Sequence, residues 1–134
     1  AGIAVLEAIA RERLWENAAA VGAHLQAGLE SLMASHPAIG SVRGRGLALG
    51  VELVEDRNTR VPAKNLAAKT VYRAFELGLV VYYVGLSSNV LELTPPLILT
   101  AAEADEAVRI LDAAIGDAVA GRVSEATVRP FAGW

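Results

Sequence analysis

The sequence contains no cysteine, which excludes disulfide bridges, thiolate metal sites and a cysteine nucleophile. It has no apolar run of the roughly eighteen residues a membrane span requires, and its start lacks the basic, apolar and small-residue succession of a secretory signal. A soluble, cytoplasmic chain is the expectation. Basic residues are outnumbered, with 12 Lys and Arg against 15 Asp and Glu, a net charge of -3 and a pI near 5.4. No basic patch is on offer, so nucleic acid is not an expected partner. Aromatic residues make up only 5%, and Trp15, Tyr72, Tyr82 and Tyr83 are too scattered to form a base-stacking platform; they read as core or interface packing.

What the chain does have is apolar mass. Hydrophobic residues form 54% and charged residues 20% of its 134 residues, enough for one domain with a real core and for some surface meant for a partner. The most informative stretch is Asn89 to Thr100, NVLELTPPLILT. Val90 to Thr94 alternates with a period of two, placing Leu91 and Leu93 on one face and Val90, Glu92 and Thr94 on the other. Pro95 and Pro96 stop the strand because neither donates a backbone hydrogen bond. Thr100 and Glu103 then have the spacing of a capping box, which predicts a helix from Ala101 to about Val119 with Ala104, Val108, Leu111 and Ile115 buried.

Residues Ala1 to Ala10 read as helix interior without a capping residue, so the chain is expected to begin inside a longer protein. Leu14, Ala18, Val21, Leu25, Leu29 and Leu32 predict a long amphipathic helix over Arg11 to Ser35, ended by His36 and Pro37. Ile39 to Val54 reads as a glycine-flexed entry followed by a strand near Leu47 to Val54. Glu55 to Pro62 is an expected exposed loop. A helix over Ala63 to Leu77 follows, with Leu66, Val71 or Thr70, Ala74 and Leu77 inward and Gly78 as its stop. Leu79 to Val84 is a strand, reversed through Gly85 to Asn89. Residues 121–134 form a tail without clear period. The sum is an α+β fold: a small, mostly antiparallel three-stranded sheet covered by helices, with a long N-terminal helix, in a single domain over 1–134 whose first 36 residues are helical.

Few residues carry chemistry. Gly44 and Gly46 precede a strand rather than a helix and lack a following Lys-Ser/Thr, so a tight turn is favoured over a phosphate loop. His24 and His36 have no convergent ligands at metal-binding spacing; His36 suits a helix C-terminus. Ser87 and Ser88 lack an activating acid and base and read as turn formers. Arg43, Arg45 and Glu52 form either a buried ionic network or a solvated edge. Glu92, a charge in mid-strand, either faces solvent or lines a cleft against another domain.

Taken together, VRGRGLALGVEL at Val42–Leu53, LGLVVYY at Leu77–Tyr83 and NVLELTPPLILT resemble the C-terminal small domain of the class III aminotransferases, pyridoxal-phosphate enzymes of fold type I. The resemblance covers nearly the whole chain. It implies a parent, usually a homodimer, that moves an amino group from an amine, an ω-amino acid such as 4-aminobutyrate, or an amino acid to a 2-oxo acid. It also implies that the Schiff-base lysine and the acidic partner of the cofactor ring lie in a missing large domain. Neither Lys64 nor Lys69 matches the family's lysine motif. This chain is therefore expected to carry no catalytic or cofactor-binding residue, to bind no cofactor and to be inactive alone. Relatives acting on ornithine-type substrates carry Arg where this chain has Glu92, so Glu92 is a candidate substrate-binding residue that repels a carboxylate, or pairs an amine or a protein Arg. Two alternatives remain: an amino acid racemase or epimerase of the same fold and cofactor, and a non-catalytic α+β ligand-binding or dimerisation module.

Overall fold

The computed structural model describes residues 2–131. Ala1 and the end of the expected tail, residues 132–134, lie outside the described residues. In chain order the elements are α1 (Gly2–Glu12), α2 (Leu14–Ser31), a short 3-10 turn (Leu32–Ala34), β1 (Ile39–Arg45), β2 (Ala48–Leu53), α3 (Lys64–Glu76), β3 (Tyr82–Val84), β4 (Val90–Leu93), α4 (Ala101–Val119) and α5 (Glu125–Val128).

The α+β class holds, but the sheet has four strands rather than three, all antiparallel in the order β1-β2-β4-β3. The extra strand is the segment read as a glycine-flexed entry. Two glycines and two arginines give β1 little intrinsic strand propensity, and its order comes from pairing along β2 from Ile39↔Leu53 to Arg45↔Ala48. The loop Gly46–Leu47 closes that hairpin. Gly46 has φ 55°, the positive first position that matches a two-residue hairpin to strand twist. A Cβ on Gly22 of α2 would lie 2.2 Å from the Gly46 carbonyl carbon, so the hairpin tip rests directly on the α2 backbone.

The N-terminal helix is also interrupted. Arg13 takes a left-handed conformation (φ 52°, ψ 40°) between α1 and α2, which tilts α1 off the path that packs α2 on the sheet. No residue of α1 is buried, whereas Ala18, Val21, Gly22, Leu25 and Leu29 of α2 are. One sheet face carries Ile39, Leu49, Val51, Leu53, Leu91 and Leu93, all buried. Helices α2 and α3 cover it, and α4 packs against those two helices. Its line of Ala104, Leu111 and Ile115 is buried as expected, with Val108 at the margin and Ile110, Ala114 and Ala118 added.

Helix α3 buries a narrower face than the pattern suggests. Ala67, Thr70 and Ala74 are inaccessible, while Leu66, Val71 and Leu77 are half-buried, because small side chains permit close approach to α4. The predicted capping box of α4 is complete: the Glu103 amide donates to Thr100 Oγ1 at 3.2 Å and the Thr100 amide donates to Glu103 Oε2 at 2.8 Å. Gly78, φ 99°, closes α3 in the left-handed region that favours glycine. The segment after Gly121 contains the single turn α5, capped by Ser124, whose Oγ accepts from the Thr127 amide at 3.1 Å.

Candidate functional site

Pairing in the sheet decides which polar residues meet. Residues directly opposite across antiparallel strands share a face, so Arg43, Gly50, Glu92 and Tyr82 form one row across β1, β2, β4 and β3. A parallel row contains Glu52, Val90 and Val84, with Ser41 opposite Glu52. Both rows lie on the face opposite the helices. Glu92 is exposed, between buried Leu91 and Leu93, as the alternation requires. Gly50 beside it contributes no side chain, which leaves a depression of about 210 Å³ bounded by Ala48, Gly50, Val84, Val90, Glu92 and Thr94.

The charged side chains of this face divide into paired and unpaired groups. Glu52, with a side chain 19% exposed, accepts from Ser41 Oγ at 3.0 Å, lies 3.7 Å from Arg43 and forms an ion pair with Arg60. Of the two alternatives left open for Arg43, Arg45 and Glu52, the structure shows an ionic network at a solvated edge, made by Glu52 with Arg43 and Arg60, whose side chains are about half exposed, and without Arg45. Among the described residues, neither the Arg45 side chain nor the Glu92 side chain has a hydrogen-bond or ion-pair partner.

The remaining candidates have structural roles. Gly44 and Gly46 serve the hairpin: a Cβ on Gly44, φ 148°, would lie 2.1 Å from the Ala48 carbonyl oxygen. His24 bonds Asp105 and His36 bonds Asp112, each at 2.6 Å, so both imidazoles tie the segment from α2 to β1 onto α4. No group of three potential metal ligands occurs among the described residues. Ser87 and Ser88 occupy the β3–β4 turn, where Ser88 has φ 51°. Asn89 next to them is buried and donates from Nδ2 to the Leu53 carbonyl at 2.8 Å, pinning that turn to β2. Asp117 accepts from Arg73 Nε at 2.6 Å and Arg122 Nε at 2.7 Å; those bonds, Arg73 first, hold its carboxyl below the usual carboxylate range.

Two features escaped the sequence pattern. Tyr72, Phe75, Val80, Tyr82, Val128 and Phe131 line an apolar groove of about 670 Å³ between α3, β3 and α5, with the Tyr72 and Phe131 rings 5.8 Å apart. A second recess of about 660 Å³ lies between Trp15, Ile9, Arg45, Leu47, Thr94 and Pro95. Both are assembled from segments distant in sequence, so no local spacing announces them.

A pyridoxal-phosphate site requires a lysine aimed into a cavity that also holds the ring, an acid for its nitrogen and an anion cradle for its phosphate. Lys69 borders a recess of about 10 Å³ with Glu125 and Arg129, too small for a ring, and a shallow one of about 360 Å³ with Glu55 and aliphatic residues. Neither offers an aromatic stacking wall or a phosphate cradle. Lys64 opens α3, outside both recesses. The described residues do not fit this cofactor by themselves.

Comparison with known proteins is consistent along the chain. The sequence profile of the family described as aminotransferase class-III matches residues 1–115. The chain is 39% identical to a leucine/methionine racemase of Thermococcus litoralis, over 100% of this chain and 30% of that protein. It is 46% identical to the mitochondrial alanine–glyoxylate aminotransferase 2 homolog 2 of Arabidopsis thaliana, over 84% of this chain and 24% of that protein. Among solved structures, an amine transaminase from an uncultivated Pseudomonas species in its PLP-bound form superposes with a TM-score of 0.81 and 36% identity, over 87% of this chain and 26% of that one. The chain thus spans 24–30% of the length of these relatives.

Proposed function

From the premise that this chain belongs to the class III aminotransferase family, we propose that it is the C-terminal small domain of a larger pyridoxal-phosphate-dependent enzyme. The parent transfers an amino group from an amine, ω-amino acid or amino acid to a 2-oxo acid, acts as a cytoplasmic homodimer, and carries its Schiff-base lysine outside these 134 residues. The observation that carries this reading is the family match over residues 1–115. The 36% identical amine transaminase in its PLP-bound form supports the choice of cofactor.

When bound, pyridoxal phosphate supplies the electron sink for chemistry at the substrate's amino-bearing carbon. The contribution of the present chain is a wall. Its sheet is backed by α2 and α3 and turns a polar face outward at Glu92. A fixed carboxylate on that face repels a substrate carboxylate and favours an ammonium or guanidinium group. Replacing Glu92→Arg in the full-length enzyme is expected to improve kcat/KM for substrates with a distal carboxylate relative to simple amines by roughly tenfold, the worth of one charge-assisted hydrogen bond. Unchanged preference across amines, ω-amino acids and α-amino acids would remove Glu92 from the substrate site.

A second reading, amino acid racemisation, is favoured by one observation: a racemase of Thermococcus litoralis is similar to this chain over all of this chain's 134 residues and 30% of its own length. Product analysis separates the two. The full-length protein, supplied with cofactor, an L-amino acid and a 2-oxo acid, is expected to form a new amino acid and a new oxo acid; inversion of the amino acid without nitrogen exchange would establish the second reading instead.

A further inference from the structure

The connection from β4 to α4 has little means of holding itself in place. The sheet ladder ends at the pair Leu49↔Leu93, and Pro95 and Pro96 beyond it bring no backbone N–H with which to continue it. Inside the connection the Leu99 amide donates to the Pro96 carbonyl at 3.0 Å and closes one turn. The carbonyls of Leu97 and Leu99 are held from outside. Both accept from Nδ2 of Asn17, at 2.7 Å and 3.0 Å, a half-buried residue near the start of α2 and some 80 positions away in the chain.

One amide nitrogen thus spends both of its N–H bonds on two carbonyls two residues apart, which fixes the distance of the connection from α2 and its rotation about its own direction. The rotation shows in the side chains: Leu97 and Leu99 turn inward and are half-buried, while Ile98 between them is 66% exposed. Thr94, Pro95 and Pro96 join this clamp to the end of β4. Both prolines have a fixed φ, and Thr94 and Pro95 are each restricted by the proline that follows. The link is therefore stiff, and a displacement of the clamp passes to the end of the strand instead of being absorbed.

We infer that Asn17 is a positioning residue for the reaction proposed above: through the stiff Thr94–Pro96 link it sets where the end of β4, and with it the wall that this chain contributes, stands relative to α2. The role in the reaction rests on the proposed function; the clamp itself rests on the two hydrogen bonds. Because the reacting groups lie outside this chain in that reading, loss of the clamp falls on substrate binding and spares the chemical step.

Asn17→Asp tests this in the full-length enzyme, with folding checked by circular dichroism. The change is isosteric and sets a carboxylate oxygen against the two carbonyl oxygens. It is expected to raise KM for the amino substrate roughly tenfold, to leave kcat unchanged, and to speed hydrogen exchange at the Leu99 amide by a similar factor. Asn17→Ser, which keeps one donor, should fall between the wild type and Asn17→Asp in both readouts, and it decides the matter alone if the Asp variant does not fold. Faster exchange with an unchanged KM would make the clamp purely structural and overturn the inference. Unchanged exchange at Leu99 would overturn it too, since the connection would then be held without Asn17. A wild-type protein that neither transfers nor inverts an amino group would sink the proposed function, and the role of Asn17 in it, while exchange at Leu99 would still report whether the clamp exists.

Discussion

Thr70→Val should make this domain more stable, although most core substitutions do the reverse. Thr70 sits on the inner face of α3, wholly buried between Ala67 and Ala74, and its Oγ1 has no hydrogen-bond partner among the described residues. A hydroxyl buried without a partner costs about 1–3 kcal/mol on the scale of protein mutations. Valine has nearly the same shape and the same branching at Cβ, so the helix propensity and packing terms largely cancel. The net expectation is a gain of about 1 kcal/mol, equivalent to roughly 3–5 °C in Tm for a chain of this length. Urea unfolding followed by far-ultraviolet circular dichroism gives the free energy, and an unchanged slope against urea assigns the difference to stability rather than to a changed unfolded state. Thr70→Ser keeps the hydroxyl and loses the methyl, so it should destabilise by about 1 kcal/mol. If Thr70→Val were destabilising by more than about 0.5 kcal/mol with an unchanged slope, the hydroxyl would have to be satisfied in the folded protein and the reasoning would fail.

Two other perturbations probe the helices. Thr100→Ala removes the side chain that accepts from the Glu103 amide and should cost about 1 kcal/mol by the same urea assay; an effect near zero would mean that water caps α4 equally well. Asp117, Asp56, Glu103 and Glu106 all have folded-state pKa values below their ordinary ones, Asp117 chiefly through Arg73, Asp56 and Glu103 through backbone amides, and Glu106 through Arg109. Groups lowered by folding stabilise the native state above their unfolded pKa, and that contribution is lost as pH falls below ~4 towards the folded values. Acid should therefore lower the stability of the domain, and Asp117→Asn should flatten the difference between urea midpoints at neutral and acid pH. An identical pH dependence in that variant would show that the Arg73–Asp117–Arg122 cluster does not contribute.

Much of the architecture is legible in local chemistry. The alternation at Val90–Thr94, the Pro95–Pro96 stop, the Thr100–Glu103 box and the Gly78 terminus each act within a few residues, and each occurs in the folded chain. The misses share a different origin. Strand β1 owes its existence to β2, since its glycines and arginines have no strand preference of their own. The break at Arg13 carries no turn residue; it lies where α2 docks on the core and α1 does not. For the site, alternation alone places Glu92 on the outer face. Its neighbours Gly50 and Tyr82 depend on strand register, and the recess between Arg45 and Trp15 depends on the β1–β2 hairpin, which the sequence pattern does not reveal.

The central claim, that these residues form one lobe of an enzyme whose cofactor is held elsewhere, is most directly tested by locating the cofactor lysine. Full-length protein loaded with pyridoxal phosphate, reduced with borohydride and digested, should yield a single pyridoxyl-labelled lysine in a peptide outside the 134 residues described by this sequence. A label on Lys64 or Lys69 would contradict the account, and so would the absence of any labelled peptide from a correctly folded full-length protein.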